Sequence, residues 1–432
     1  MMQAWFQDAR FGVFVHWGIY SAGDTNESWD MFNGVVSREV YQGQAAGFDA
    51  AHYDPEAWAD LFLAAGARYV VFTTKHHDGF ALWDTAQSTW NAAQAAPARR
   101  DLVGPLVSAL RQRKIAVGLY FSHSDWAHPD YPSVTPPGKA GLAVHQQMRG
   151  NALAYCQGAP DELAWQRYLS FHRAQLRELC ERFKPDLLWF DGDWERSNAQ
   201  WNFEQLARQL QTWAPGVVVN GRMGALGDYA TPEQALPVLA PEGPWEYCVT
   251  LNDSWGFSKK DQNFKSSRQC LELLLECAGM GGNLLLDIGP RADGSLVPEQ
   301  VAVLLALGQW LKRCGEAVYA TQAGLPHGHF WGPSTRSASG RTLYLFCIGR
   351  PDPQVSVRGL KNTVLRASVV GQDPTPLQHH VIGGAPWAGL PGILWVDVPA
   401  PLQDAEVTVI RLELDSPVDL YRGSGDKIIH NA

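Results

Sequence analysis

The sequence predicts an α/β fold: an irregular (β/α)8-like TIM barrel over residues 1–320, a C-terminal antiparallel β-sandwich over 321–415 and a polar tail over 416–432. Three observations carry that prediction. From residue 11 to about residue 318, short runs of Val, Ile, Leu and Phe alternate with amphipathic helical patterns, as successive βα units do. The runs are apolar throughout, as strands covered on both faces must be. Beyond about residue 320 the apolar period becomes two and Gly and Pro mark the turns, which suits antiparallel sheets.

The strands read from the apolar runs are Phe11 to His16, Tyr69 to Lys75, Ile115 to Ser122, Asp186 to Asp191, Val217 to Asn220, Trp245 to Thr250 and Leu284 to Ile288. Helices fill the intervals. Pro55 suits a first helical turn, Asp101 can cap the helix after it, and long periodic stretches run from Glu162 to Phe183, Ser266 to Ala278 and Pro298 to Cys314. Seven strands leave one βα unit degenerate. An open doubly wound sheet is the rival fold, but no Gly-rich phosphate loop follows the first strand. In the last third, Thr342 to Cys347, Thr363 to Ala367, Ile393 to Val398 and Val407 to Leu412 read as sandwich strands.

Composition narrows the function. A chain of 432 residues with 46% hydrophobic content can bury a large core. A net charge of −9 argues against nucleic acid, whose phosphates require basic patches. No apolar run approaches the roughly 18 residues a membrane span needs, and Met1 to Asp8 lacks a basic then apolar leader, so a cytoplasmic location is expected. Seven cysteines without CxxC spacing suit reduced thiols rather than disulfides or zinc.

The peptide Asp186-Leu187-Leu188-Trp189-Phe190-Asp191-Gly192-Asp193-Trp194 is the most telling. An apolar strand ends in carboxylates flanked by Trp, at the end where a barrel opens its active site. A carboxylate there can act as nucleophile or proton carrier, and an indole can stack on the C–H face of a sugar. Other strand ends agree: His16-Trp17-Gly18, Lys75-His76-His77-Asp78, Tyr120 to His123 and Asn220-Gly221-Arg222. Donors surround few acceptors, which suits the hydroxyls of a small polyol. Adjacent residues on a strand face opposite ways, so only one of His76 and His77 is expected to reach a given site. A metal held by His76, His77 and Asp78 is the rival reading. Lys75 reads either as a site residue or as the partner of a buried acid.

Glycoside hydrolysis needs two carboxyl groups. Asp191 fills one role; Asp193, beyond Gly192, reads as a loop acid. For the proton carrier the candidates are Glu233, Glu242 and Glu246, and spacing does not choose between them.

Phe11-Gly12-Val13-Phe14-Val15-His16-Trp17-Gly18, Thr74-Lys75-His76-His77-Asp78-Gly79-Phe80, Leu188-Trp189-Phe190-Asp191-Gly192 and Gly282-Asn283-Leu284-Leu285-Leu286-Asp287-Ile288-Gly289-Pro290 together resemble the α-L-fucosidases of glycoside hydrolase family twenty-nine. The resemblance spans about residues 5 to 320. It implies a retaining double displacement on terminal α-L-fucosides, with no cofactor and no metal. By it, Asp191 takes the nucleophile's place and Glu233 that of the acid/base, with Glu246 the runner-up. His16, Trp29, His76, His77, Tyr120, Trp189, Arg222 and Trp255 match positions that hold or line the fucose pocket. One departure stands out: many members carry adjacent Glu-Trp after the first strand, whereas here Ser28 separates Glu27 from Trp29. The implied partner is a fucosylated oligosaccharide or glycoconjugate, with no nucleic acid and no membrane, and a homo-oligomer is compatible with this reading. The alternatives are a metal-dependent barrel hydrolase and a non-catalytic fucose-binding protein.

Overall fold

The computed structural model describes residues 3–23, 25–134, 152–372 and 375–424. Its first sheet has seven parallel strands: β1 (Phe11–Val15), β2 (Tyr69–Lys75), β3 (Ala116–Ser122), β4 (Leu187–Asp191), β5 (Val218–Val219), β6 (Glu246–Thr250) and β7 (Asn283–Ile288). They lie in the order β5-β4-β3-β2-β1-β7-β6. Each falls within a residue of its apolar run, because strands covered on both faces have no polar positions to blur their limits; β1 and β2 are buried at every residue. Between β5 and β6 an extended segment makes single parallel bridges, Asn220 to Tyr229 on one side and Ala230 to Trp245 on the other. This stretch carries Glu233.

Local capping sets the helices that cover the sheet. Asp54 accepts from the main-chain N–H groups of Glu56 and Ala57 ahead of Pro55–Ala64, and Asp161 accepts from Ala164 ahead of Glu162–Phe183. A reciprocal capping box between Ser266 and Gln269 starts Ser267–Gly279. Such caps satisfy N–H groups that the first helical turn leaves orphaned.

After the helix Pro298–Cys314 come two antiparallel sheets. One runs β12 (Val364–Val369), β15 (Val407–Leu414), β10 (Thr342–Ile348), β9 (Ser334–Arg336), β8 (Gln322–Ala323); the other runs β11 (Gln354–Arg358), β14 (Ile393–Asp397), β13 (His379–Ile382). Strand β10 shows why the period of two was readable. Leu343, Leu345 and Cys347 enter the core between the two sheets, while Tyr344 and Phe346 face the opposite way and join the core of the parallel sheet and its helices. The sandwich is thus packed against the parallel sheet and its helices, with Trp310 and Phe346 rings in contact across the seam.

One expectation needs amendment. Residues from Ser416 were expected to form a loose tail, but Val418 N–H donates to Gly340 O at 2.9 Å and Tyr421 N–H to Gly359 O at 2.8 Å, so residues 416–421 are pinned to the sandwich. Main-chain pairing outweighs their polar composition; residues 425–432 lie outside the described residues. Lys75 does pair with a buried acid, Asp125, at 3.3 Å, and also with Gln175. All seven cysteines are free thiols, and all but Cys156 are buried. Among the described residues no helix is long and apolar enough to cross a membrane.

Candidate active site

The carboxyl ends of the parallel strands surround a cavity of about 290 Å³ lined by Phe14, His16, Trp29, His76, His77, Trp189, Asp191, Trp194, Arg222, Glu233 and Trp255. Asp191 is the last residue of β4. Gly192 follows in the left-handed region at φ 76°, which ends the strand and turns the chain away. Asp193 therefore enters a short turn and does not line the cavity; burial and the charge of Asp191 push its carboxyl up to about 6.

Three hydrogen bonds hold Asp191, and one imidazole stands beside it. Tyr120 donates its hydroxyl to Oδ2 at 2.8 Å, Arg222 donates to Oδ1 at 2.6 Å, and the Gly192 N–H donates to Oδ1 at 2.9 Å. His77 Nε2 lies 3.6 Å from Oδ2. Burial alone would raise this carboxyl, but the charge of Arg222 and the Tyr120 hydrogen bond outweigh it and hold Asp191 below the ordinary carboxylate range. The second arm of Arg222 is paired with Glu233, and its guanidinium lies over the Trp189 ring, 4.6 Å from the centroid. One cation thus spans both carboxylates that can do the chemistry.

Three imidazoles line the cavity, each anchored through Nδ1: His16 to Asp287 Oδ1, His76 to Ser28 Oγ and His77 to Ser122 Oγ, all at 2.6 Å. Ser122 donates its own hydroxyl to Ser124 O, so it accepts from His77, and His77 carries its proton on Nδ1. Burial pushes His16 down to about 3 and His77 to about 4. Neutral rings of this kind suit neutral hydroxyls.

The expectation that only one of His76 and His77 could reach the site fails. Strand alternation stops at Lys75: the β2–β3 register slips between Thr73 and Lys75, and a turn follows with Gly79 at φ 76°. Both rings therefore line one cavity, 4.3 Å apart. Their ligating atoms and that of Asp191 lie within 4.8 Å of one another, a spacing a metal could use. Arg222 already sits on that carboxylate, however, and a divalent cation would have to share it with a fixed positive charge. Asp78 is turned elsewhere, accepting from Tyr41 and from the Phe80 N–H.

Glu246 is not at the cavity. It is fully buried on β6, accepting from Tyr69 at 2.5 Å, from Trp189 Nε1 at 2.9 Å and from Tyr229 at 3.4 Å. The Tyr69 ring can cross beneath the cavity because position 12 is Gly: a Cβ there would lie 2.4 Å from it. Glu242 is exposed and does not line the cavity. Of the three candidates for a second carboxyl, only Glu233 shares the cavity with Asp191.

Sequence reasoning missed Phe14, Trp194 and Asp287. Phe14 shares the strand face of His16, two residues on, and periodicity alone points to it. Trp194 closes the telling peptide and stacks beside Trp29 with an interplanar angle of 12°. Asp287 lies one residue before the end of an apolar strand, yet it serves a histidine rather than the cavity. Glu27, separated from Trp29 by Ser28, is buried and accepts from the Gly256 N–H, which ties the loop after β1 to the loop carrying Trp255.

Two carboxylates, indole walls and neutral hydrogen-bonding rings at the carboxyl ends of a parallel sheet define a glycoside hydrolase. The chain belongs to the α-L-fucosidase family, whose profile, described as Alpha-L-fucosidase, matches residues 1–316. It is 36% identical to tissue alpha-L-fucosidase of Rattus norvegicus over 347 residues, 74% of this chain and 70% of that one. Against the Homo sapiens tissue enzyme it is 34% identical over 384 residues, 81% and 76% of the two chains. Among solved structures, alpha-L-fucosidase isoenzyme 1 from Paenibacillus thiaminolyticus superposes with a TM-score of 0.82 at 32% identity, covering 95% of this chain and 98% of that one. A Bacteroides thetaiotaomicron alpha-L-fucosidase trapped as a covalent intermediate with 2-fluoro-fucosyl fluoride gives 0.82 at 27% identity, with 96% of each chain covered.

Proposed function

We propose that this protein is a retaining, exo-acting α-L-fucosidase with Asp191 as nucleophile and Glu233 as acid/base. The observation that carries this reading is the shared pairing of Arg222 with both carboxylates at the cavity. Asp191, held below the usual carboxylate range, is ionised and ready to attack. Its oxygen forms a bond to the anomeric carbon as the bond to the leaving oxygen breaks, and Glu233 gives that oxygen a proton. Water then attacks the same carbon, passes a proton to Glu233, and frees Asp191. Each step inverts, so the product retains configuration. Proton donation in the first step requires the Glu233–Arg222 contact to open.

A cavity of about 290 Å³ is at the small end of ligand sites and suits one sugar ring, which favours removal of a terminal residue. His16, His76 and His77 are assigned to the hydroxyls; Trp255, against His16 and Phe14, is assigned to the methyl group; Trp29, Trp189 and Trp194 are assigned to the walls. The bridging segment around Tyr229 and Ala230 supports a closed barrel in which it stands for the degenerate unit. The change from parallel to antiparallel sheets supports a domain limit near residue 320, with the sandwich running on through the pinned residues 416–421.

The test is Asp191→Gly. Turnover of an aryl α-L-fucoside should fall by orders of magnitude with the fold intact, and azide should restore product as the β-fucosyl azide. An active Asp191→Gly enzyme would remove the proposal. Fucose binding by the wild-type protein without any turnover would favour the non-catalytic reading.

A further inference from the structure

Arg222 supplies the charge that both carboxylates share, yet it belongs to no strand: β5 ends at Val219. Its carbonyl is held by a side chain, His123 Nε2, at 3.2 Å. His123 is fully buried, one residue past β3, and its own main-chain N–H donates to Asp191 O at 2.7 Å. One residue therefore grips the backbone of both members of the Asp191–Arg222 pair.

Two further groups fix the ring. It stacks on Phe190 at 4.5 Å, and its Nδ1 lies 3.0 Å from Nε2 of buried His172, whose Nδ1 lies 2.7 Å from the Arg173 guanidinium. The protons in this chain have one arrangement. A carbonyl only accepts, so His123 Nε2 bears hydrogen; a guanidinium only donates, so His172 Nδ1 is bare and its Nε2–H donates to His123 Nδ1. A second proton on either ring would set two donors against each other. Burial, then the charge of Arg173, pushes His123 down to about 3 and His172 well below its ordinary value, in keeping with two neutral rings.

We infer that His123, oriented by His172 and Arg173, is a positioning residue for the reaction: it holds the Arg222 segment where one guanidinium arm meets Asp191 and the other meets Glu233. This rests on the reading of Asp191 as nucleophile. Freed from its anchor, the guanidinium spends less time on Asp191. The remaining groups that act on that carboxylate, His77, Tyr120 and the Gly192 N–H, stay in place, with Asp193 opposing. Asp191 then takes up a proton more readily. The sugar-binding histidines are untouched, so kcat suffers more than KM.

The test compares His123→Phe, which keeps the ring and loses both hydrogen bonds, with His123→Gln, whose amide can donate to Arg222 O and accept from His172. For an aryl α-L-fucoside the Phe variant should lose roughly tenfold in kcat with KM little changed. Its acidic limb of kcat/KM should move up by about one pH unit, the scale on which a guanidinium shifts a neighbouring carboxyl. Amide hydrogen exchange across residues 220–228 should quicken, and the Gln variant should recover most of each change. Parent-like limb and exchange in the Phe variant, or a loss that Gln does not relieve, would overturn the inference. If the Phe variant does not fold, His172→Phe breaks the chain one ring further out and should give smaller changes of the same sign; parent-like behaviour there is equally fatal. An inactive wild-type enzyme would sink the functional reading, while the exchange comparison would still judge the anchor.

Discussion

The Trp189 indole N–H donates to Glu246 at 2.9 Å, and both side chains are buried. The bond sets the plane of an indole whose face carries Arg222. Glu246 therefore acts on the site through Trp189, without meeting substrate.

Glu246→Gln should keep most of the wild-type rate on an aryl α-L-fucoside, since an amide can still accept from Trp189. Glu233→Gln should cost two or more orders of magnitude on a natural fucoside, the usual scale for losing a general acid, and less where the leaving group departs unaided. Rates for the two variants on both substrates check this. The reverse ranking would make Glu246 the proton carrier.

Glu246 also makes a stability prediction. Burial pushes its carboxyl up to about 7, outweighing the hydrogen bonds from Tyr69, Trp189 and Tyr229. A carboxyl raised in the folded state favours folding while it is protonated, and that contribution is lost as pH rises from its unfolded value through about 7. Glu195 and Asp193, raised to about 7 and about 6, act in the same sense. The Tm of Glu246→Gln relative to wild type should therefore grow from pH 5 to pH 8. A difference that stays flat or shrinks would refute the assignment.

Arg222→Met should move the acidic limb of kcat/KM upward by about one to three pH units. The sign follows from Asp191: its carboxyl is held low in large part by this guanidinium, so without it the nucleophile protonates, and activity fades, at a higher pH. A pH–rate profile from pH 3 to 8 measures the shift.

Trp194 lines the cavity and packs beside Trp29 and His77. Trp194→Ala should raise KM roughly three- to tenfold, the value of one lost aromatic face, with a smaller effect on kcat.

Extended dialysis against EDTA should leave turnover unchanged, because Arg222 already supplies the positive charge that a metal at His76, His77 and Asp191 would bring. Loss of activity, restored by one divalent ion, would favour the metal-dependent alternative.

Legibility followed the range of the interactions. Asp191, His16 and Arg222 were readable because each sits at or just past the end of an apolar run, where local pattern and position in the fold coincide. His76 and His77 were misjudged as a pair because the bend that turns both inward depends on a register slip against β3, a neighbour far away in the chain. Spacing alone did not separate Glu246 from Glu233; the crossing of Tyr69 over Gly12 and the set of Trp189 hold Glu246 away from the cavity.

By itself the sequence determined the alternation of buried strands and amphipathic helices, the switch to period two after the parallel sheet, and the chemical types waiting at the strand ends, since all of these are short-range patterns of hydrophobicity and residue kind. The tertiary structure alone decided that Glu246 lies away from the cavity and that His123 reaches Arg222 across 99 positions. Those outcomes depend on distances of a few ångströms between segments remote in the chain, and no local pattern encodes them.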